Sequence, residues 1–358
     1  MRKLKIISRL KLHSGFRHAI NCFIMLLLLA VHIDYFREYQ NLIYVTTASC
    51  IIFSISQHTF YISKDFILYF IFIVLLFLLT INFTSFFYLV SIFLMILWFS
   101  SINNIKNYNY FLIFIIICST LFPGFDGDSY CGVFGNNITF AGVMVFGLYL
   151  SLNISLNKIS KLFLILFFLF MLILAKSKTH IVISTLLLLG IFFKPLIKKI
   201  PKIILLLSFF APFIFMFIVN NYILGSDFQD IKLDGRSVFN LSGRTKIYDI
   251  LPVFINEFPL GVGLGNSSDK IINYYNLGIG SAHNAWIKSI FETGILGFFA
   301  FVIFVFTRLK TMKWNSILFL CLMTIKFSFE IFTPLGMSFL SLIFMYPILE
   351  NLNPKSKI

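Results

Sequence analysis

The sequence has 358 residues, 59% of them hydrophobic and 12% charged, with a mean hydropathy of +0.93. Soluble domains carry about 25% charged residues, and a water-facing exterior cannot be built around 48 Phe with so few polar groups. This excludes a soluble enzyme, a disordered chain and a disulfide scaffold, and leaves the net charge of +15 to be explained by where it sits.

Apolar runs recur along the chain at about 18–33, 41–56, 66–81, 84–100, 109–123, 138–152, 162–175, 179–193, 203–220, 284–306, 314–331 and 334–349. They are continuously apolar rather than alternating, so they predict transmembrane helices and not a barrel. The stretch 66–100 reads as two spans with a tight turn at Asn82–Thr84, or as a re-entrant pair. Basic residues fall in every second connecting segment: Arg2 to Arg17, Lys64, Lys106, Lys158 and Lys161, Lys194 to Lys202, Arg308 to Lys313, and Lys355 with Lys357. The intervening segments hold most of the acids, among them Asp34, Glu38, Asp126, Asp128, Asp227 and Asp230. By the positive-inside rule this predicts an all-α integral membrane protein of about 12 transmembrane helices with both termini cytoplasmic. The charge is then topology, and no nucleic-acid partner is expected. The chain reads as one multi-pass domain over 1–358, with the basic N-terminus leading into an uncleaved first span.

Two outer segments depart from short loops. Residues 221–283, between spans 9 and 10, form a large polar extracytoplasmic loop, of a length that is usually functional or disordered. Within it, Ile247, Ile250, Leu251 and Phe254 share one helical face, with Pro252 expected to kink that helix or end its first part. Asp126–Asn137 is a Gly-rich acidic turn. Asp126-Gly127-Asp128 has the look of a metal-binding pair, but a Gly-centred turn is the simpler reading, and no metal is assigned. Cys22, Cys50, Cys118 and Cys321 lie in apolar spans and only Cys131 outside, so they read as small fillers.

Some outer residues are cations that the positive-inside rule does not expect. Lys176 and Lys178 sit between two spans; Arg236, Arg244 and Lys246 sit in the long loop. Such a cluster suits a phosphate or pyrophosphate; alternatively, the two lysines snorkel to lipid phosphates. Ser281-Ala282-His283-Asn284 opens span 10, with Ser281 or His283 near the helix N-cap, where free N–H groups favour an anion. His283 exchanges a proton near neutral pH. Asn284, Lys288 and Glu292 follow at i, i+4 and i+8, on one face; they form a polar cavity wall or a structural ion pair. Lys326 and Glu330 repeat the spacing and read as a structural pair. Gly261-Val262-Gly263-Leu264-Gly265 lacks the context of a nucleotide loop and reads as a flexible turn.

Taken together, Ser242-Gly243-Arg244-Thr245, Phe258-Pro259-Leu260-Gly261-Val262-Gly263-Leu264-Gly265-Asn266, His283-Asn284 and Glu292-Thr293-Gly294-Ile295-Leu296-Gly297 resemble the O-antigen ligase/polymerase superfamily. Gly132-Val133-Phe134-Gly135-Asn136-Asn137 and Ser177-Lys178-Thr179 agree with its pattern, so the resemblance covers roughly 130–300. It implies a membrane glycosyltransferase of the C type in the bacterial inner membrane, without nucleotide sugar, cofactor or metal. The donor would be a glycan on undecaprenyl pyrophosphate. His283 would be the base and Arg244 the principal catalytic cation. Arg236, Lys176, Lys178, Asn284, Lys288 and Glu292 would bind substrate. A Wzy-type polymerase for O-antigen or capsule is the leading expectation and an O-antigen ligase acting on lipid A core the alternative. A multi-pass transporter is the third reading, weakened because the two halves show no matched broken helices. The expected partners are the lipid-linked oligosaccharide, membrane lipids, a chain-length regulator and a flippase.

Overall fold

A computed structural model describes residues 14–56, 64–80, 83–102, 104–194, 204, 207–210, 214, 232–233, 236–237, 244–267, 284–309, 311–327 and 336–350. The helices are α1 (Ser14–Ala30), α2 (Gln40–Ser56), α3 (Lys64–Leu79), α4 (Phe83–Ser101), α5 (Asn109–Cys118) and α6 (Asn137–Asn153). They continue with α7 (Lys158–Leu174), α8 (Lys178–Phe192), α9 (Arg244–Glu257), α10 (Ala285–Arg308), α11 (Trp314–Phe327) and α12 (Phe339–Leu349). Short 3-10 helices cover Asp34–Tyr39 and Ile105–Tyr108. Two antiparallel hairpins pair β1 (Phe125–Asp126) with β2 (Ser129–Tyr130) and β3 (Lys232–Leu233) with β4 (Arg236–Ser237).

A helix stands at every predicted span except 203–220, most of which lies outside the described residues. The stretch 66–100 is two helices, parted between Leu79 and Phe83. Among the described residues, Thr84–Ser101 and Ala285–Arg308 are each long and apolar enough to cross a bilayer. Gly15–Ala30 and Asp34–Ser56 pass that test only as a pair, bent by 106°. The other apolar helices have 10–17 residues, short of the roughly 20 that a 30 Å hydrocarbon core asks for.

The outward faces of α2, α3 and α7 are apolar. Leu42, Val45, Leu68, Leu79, Phe163 and Phe170 are all more than half exposed. In water each would forgo about 1.5–3 kcal/mol of burial; against lipid tails the exposure costs nothing. The molecule is a mostly helical membrane protein. At its centre are α6, buried at every residue from Phe140 to Ser151, and α12, buried from Phe339 to Leu349. Helices that are hydrophobic all round belong in the middle. Tyr149 stacks on Phe319 of α11 with ring centroids 4.1 Å apart.

Asn and Ser set where helices begin, by giving a side-chain oxygen to free first-turn N–H groups. Asn136 Oδ1 accepts from Ile138 and Thr139 at 2.7 and 3.2 Å. Asn157 accepts from Ser160 at 2.7 Å, and Ser338 from Ser341 at 3.1 Å.

The bundle has two polar ends. At the finish of α6, Glu350 accepts from Tyr149 Oη at 2.7 Å and Ser316 Oγ at 3.3 Å, and meets Lys106 Nζ at 3.2 Å. Nearby, Asn109 pairs with Tyr346 Oη. On the same side, Asn21 donates to Tyr108 Oη at 2.8 Å and accepts from Ser54 and Trp98, each at 3.0 Å. We call this the latch end. The opposite end holds the starts of α4, α6, α8 and α10, and most of the predicted site lies there.

Candidate active site

The central feature is a broken helix with a loop set into the break. Gly294, inside α10, has φ 67 and ψ 178, a conformation essentially confined to glycine. The break frees the carbonyls of Phe291 and Glu292 from helical bonding. Val262 N–H donates to the first at 2.9 Å and Gly263 N–H to the second at 3.1 Å. The approach is close: a Cβ on Gly261, which has φ 80, would lie 2.5 Å from Gly294 N and 2.6 Å from Glu292 O. The segment expected to be a flexible turn is thus docked edge-on against α10. A run of glycines reads as flexible only until a neighbour requires the bare backbone.

Side chains reinforce the dock. Glu292 is 4% exposed. It accepts from Ser267 Oγ at 3.2 Å and from the Gly265 backbone N–H, and Lys288 Nζ stands 3.7 Å away. Ser85 of α4 donates to Leu264 O at 3.0 Å and receives a bond from Asn266 Nδ2 at 3.2 Å. Helix α9 leads into the loop. It buries Ile247, Leu251 and Phe254, and the Phe254 ring meets Phe291 of α10 at 4.4 Å. The predicted face of α9 is correct, and Pro252 lies inside the helix without ending it, since α9 runs from Arg244 to Glu257.

The predicted residues fall as follows. Lys176 and Lys178 are exposed in the turn between α7 and α8, and Lys176 has the rare φ of 52. Asn137 Nδ2 donates to Ala175 O at 3.2 Å, fixing the start of α6 to that turn. Asn284, rather than Ser281 or His283, is the N-cap of α10: its Oδ1 accepts from Trp286 and Ile287 at 2.9 and 3.1 Å. Lys288 and Glu292 follow on the helix as the spacing requires. Arg244 opens α9 and Arg236 stands in β4, but their side chains lie outside the described residues, as do His283, Glu330 and the rest of 268–283. Asp126 and Asp128 form the tip of the β1–β2 hairpin, where Gly127 takes φ 60, and Asp126 Oδ2 accepts the Asn137 N–H at 3.4 Å. Among the described residues there is no group of three or more His, Cys, Asp or Glu placed to hold a metal.

Sequence reasoning missed a second cluster at this end. Lys326, read as one half of a local pair, is fully buried. A Cβ on Gly142 of α6 would lie 2.7 Å from Lys326 Nζ and 3.6 Å from His180 Nε2. The Lys326 charge also acts on His32. His180, in the first turn of α8, bonds Ser177 Oγ through Nδ1 at 2.6 Å. These groups come from three helices and the turn after α1, so no local spacing announces them.

Residues 162–302 match the family model described as O-antigen ligase. The match runs from α7 through most of α10, about two fifths of the chain, and takes in the docked loop and the broken helix. It supports the resemblance to the O-antigen ligase/polymerase superfamily read from the motifs. The Gly132–Asn137 turn precedes the matched O-antigen ligase segment and is explained locally, by Asn136 capping α6 and Asn137 bonding the α7–α8 turn. No curated protein and no solved structure matches the chain.

Proposed function

We propose that the protein is a Wzy-type polymerase of a surface polysaccharide, O-antigen or capsule, in the bacterial inner membrane. It moves a growing glycan from undecaprenyl pyrophosphate to the next lipid-linked repeat unit at the outer face. The topology in this reading is about 12 spans, both termini cytoplasmic, with 221–283 outside. A chain-length regulator and a flippase are its working partners.

The observation that carries the reading is the convergence of the matched segment. The α7–α8 turn, the loop that follows α9 and the head of α10 all belong to one end of the bundle, and each bears residues of the family pattern. In the proposed reaction His283 takes the proton of the attacking sugar hydroxyl. The hydroxyl oxygen bonds to the anomeric carbon as its bond to the pyrophosphate oxygen breaks, and undecaprenyl pyrophosphate leaves. Arg244, with Arg236, Lys176 and Lys178, stabilises the charge that develops on the leaving group. Lys288 and Glu292 act from below by holding the head of α10 and the loop together.

The ligase reading has one observation in its favour, the description of the matched family as O-antigen ligase. A deletion strain separates the two. Lipopolysaccharide carrying a single repeat unit means that a polymerase was lost, and bare core means a ligase. We expect His283→Ala and Arg244→Ala each to abolish chain extension while the protein still reaches the membrane. Wild-type chain lengths in either variant would overturn the assigned roles.

A further inference from the structure

Asn284 does more than begin a helix. Its Oδ1 receives the N–H groups of Trp286 and Ile287. Backbone N–H groups only donate, so these two bonds fix which end of the amide faces the helix. The Nδ2 group must then face away from it. The residue is 1% exposed, and among the described residues Nδ2 has no hydrogen-bond acceptor. A buried donor left without an acceptor costs about 1–3 kcal/mol. Ser or Asp would cap α10 equally well without an amide NH2 group to satisfy. Capping alone therefore does not account for an amide at this position.

The surroundings define what the missing acceptor should be. The N-terminus of a helix carries partial positive charge and free N–H groups. Trp286 Nε1 donates to Thr324 O at 3.0 Å. That bond joins the head of α10 to the last turn of α11, which carries the buried Lys326. The nearest carboxylate on α10 is Glu292, already held by Ser267, Gly265 and Lys288. A neutral acceptor would leave this positive setting unused, whereas an anionic oxygen would use all of it.

We propose that Asn284 Nδ2 is a donor to a phosphoryl oxygen bound at the head of α10, so that the capping residue is also a phosphate-binding residue. Choosing phosphate over another anion rests on the proposed polyprenyl-pyrophosphate donor; the need for an anionic acceptor does not.

The test uses the full-length protein in nanodiscs with two probes, inorganic pyrophosphate and undecaprenyl phosphate, and binding measured directly by calorimetry. Asn284→Asp keeps the cap oxygen and replaces the donor with a second carboxylate oxygen. Asn284→Ser keeps a cap and exchanges the amide Nδ2 for a single, shorter hydroxyl that does not reach the same position. Both variants should retain the helical signal of the wild type. Affinity should fall at least tenfold in Asn284→Ser and further in Asn284→Asp, where like charges meet. Binding of both probes would mark a phosphate site open to free and lipid-borne groups, and binding of undecaprenyl phosphate alone a site that takes the lipid headgroup. Wild-type protein that binds neither probe, or folded variants that bind both at wild-type affinity, would overturn the proposal. Failure of the transferase reading would look different: phosphate binding that depends on Asn284, in a protein that extends no glycan.

Discussion

The two ends of the bundle use polar groups in opposite ways. At the latch end the polar atoms of Glu350 and Asn21 are spoken for, while Arg17 Nε and Trp314 Nε1 are buried there without a hydrogen-bond partner among the described residues. The Glu350 carboxylate meets three partners, and both amide atoms of Asn21 are bonded. At the loop end the structure is held largely by backbone, through Val262 and Gly263 bonding the carbonyls of a broken helix. Side-chain chemistry is left over there: Lys176 and Lys178 are exposed, and Asn284 Nδ2 is buried without an acceptor among the described residues. A satisfied buried network specifies a structure. Polar groups that the fold holds in place but does not consume are what a ligand can use. The difference assigns stability to one end and chemistry to the other.

That division can be broken by substitution, and the largest effect is expected at the dock. Gly294→Ala forces a side chain into a conformation only glycine adopts readily, with its Cβ against Pro259 O and the backbone of Leu260. We expect a loss of at least about 2 kcal/mol, seen as a lower melting temperature in detergent, together with loss of chain extension because the head of α10 moves. Retained activity would mean that the break is dispensable. Next is Glu350→Gln at the other end. It weakens the bonds from Tyr149, Ser316 and Lys106 and should cost about 1–3 kcal/mol, while transfer per folded molecule stays at the wild-type level. A selective loss of activity would erase the distinction between the ends. The smallest effect is expected for Ser267→Ala, which removes one of the groups on Glu292 and leaves Gly265 N–H and Lys288 in place. About 1 kcal/mol is expected, with a modest fall in chain extension measured by gel banding.

Much of the architecture was legible because it is local. Apolar runs located the helices, and the spacing of Ile247, Leu251 and Phe254 gave α9 its buried face. The pairing of Lys288 with Glu292 followed from one helical turn. What was not legible is who stands beside whom. Glycines at 261, 263 and 265 look the same in sequence whether they swing freely or dock, and only the carbonyls of Phe291 and Glu292 decide which. The cluster of Lys326, His180 and His32 is drawn from segments some 150 residues apart, a distance over which periodicity carries no information. Of the two outcomes expected at Pro252, a kink or an end, the helix end does not occur: the burial of Leu251 and Phe254 on either side of it holds the helix together.

The break in α10 has one more consequence. A helix loses its rungs where a glycine turns it, yet here two peptide groups from some thirty residues earlier in the chain take over as rungs. The helix at this point is a spliced rod, half of it made from its own backbone and half borrowed. Positions 262 and 263, which look like loop and would ordinarily tolerate almost anything, have thereby inherited the rules of a helix interior, where a proline removes a donor that nothing else replaces.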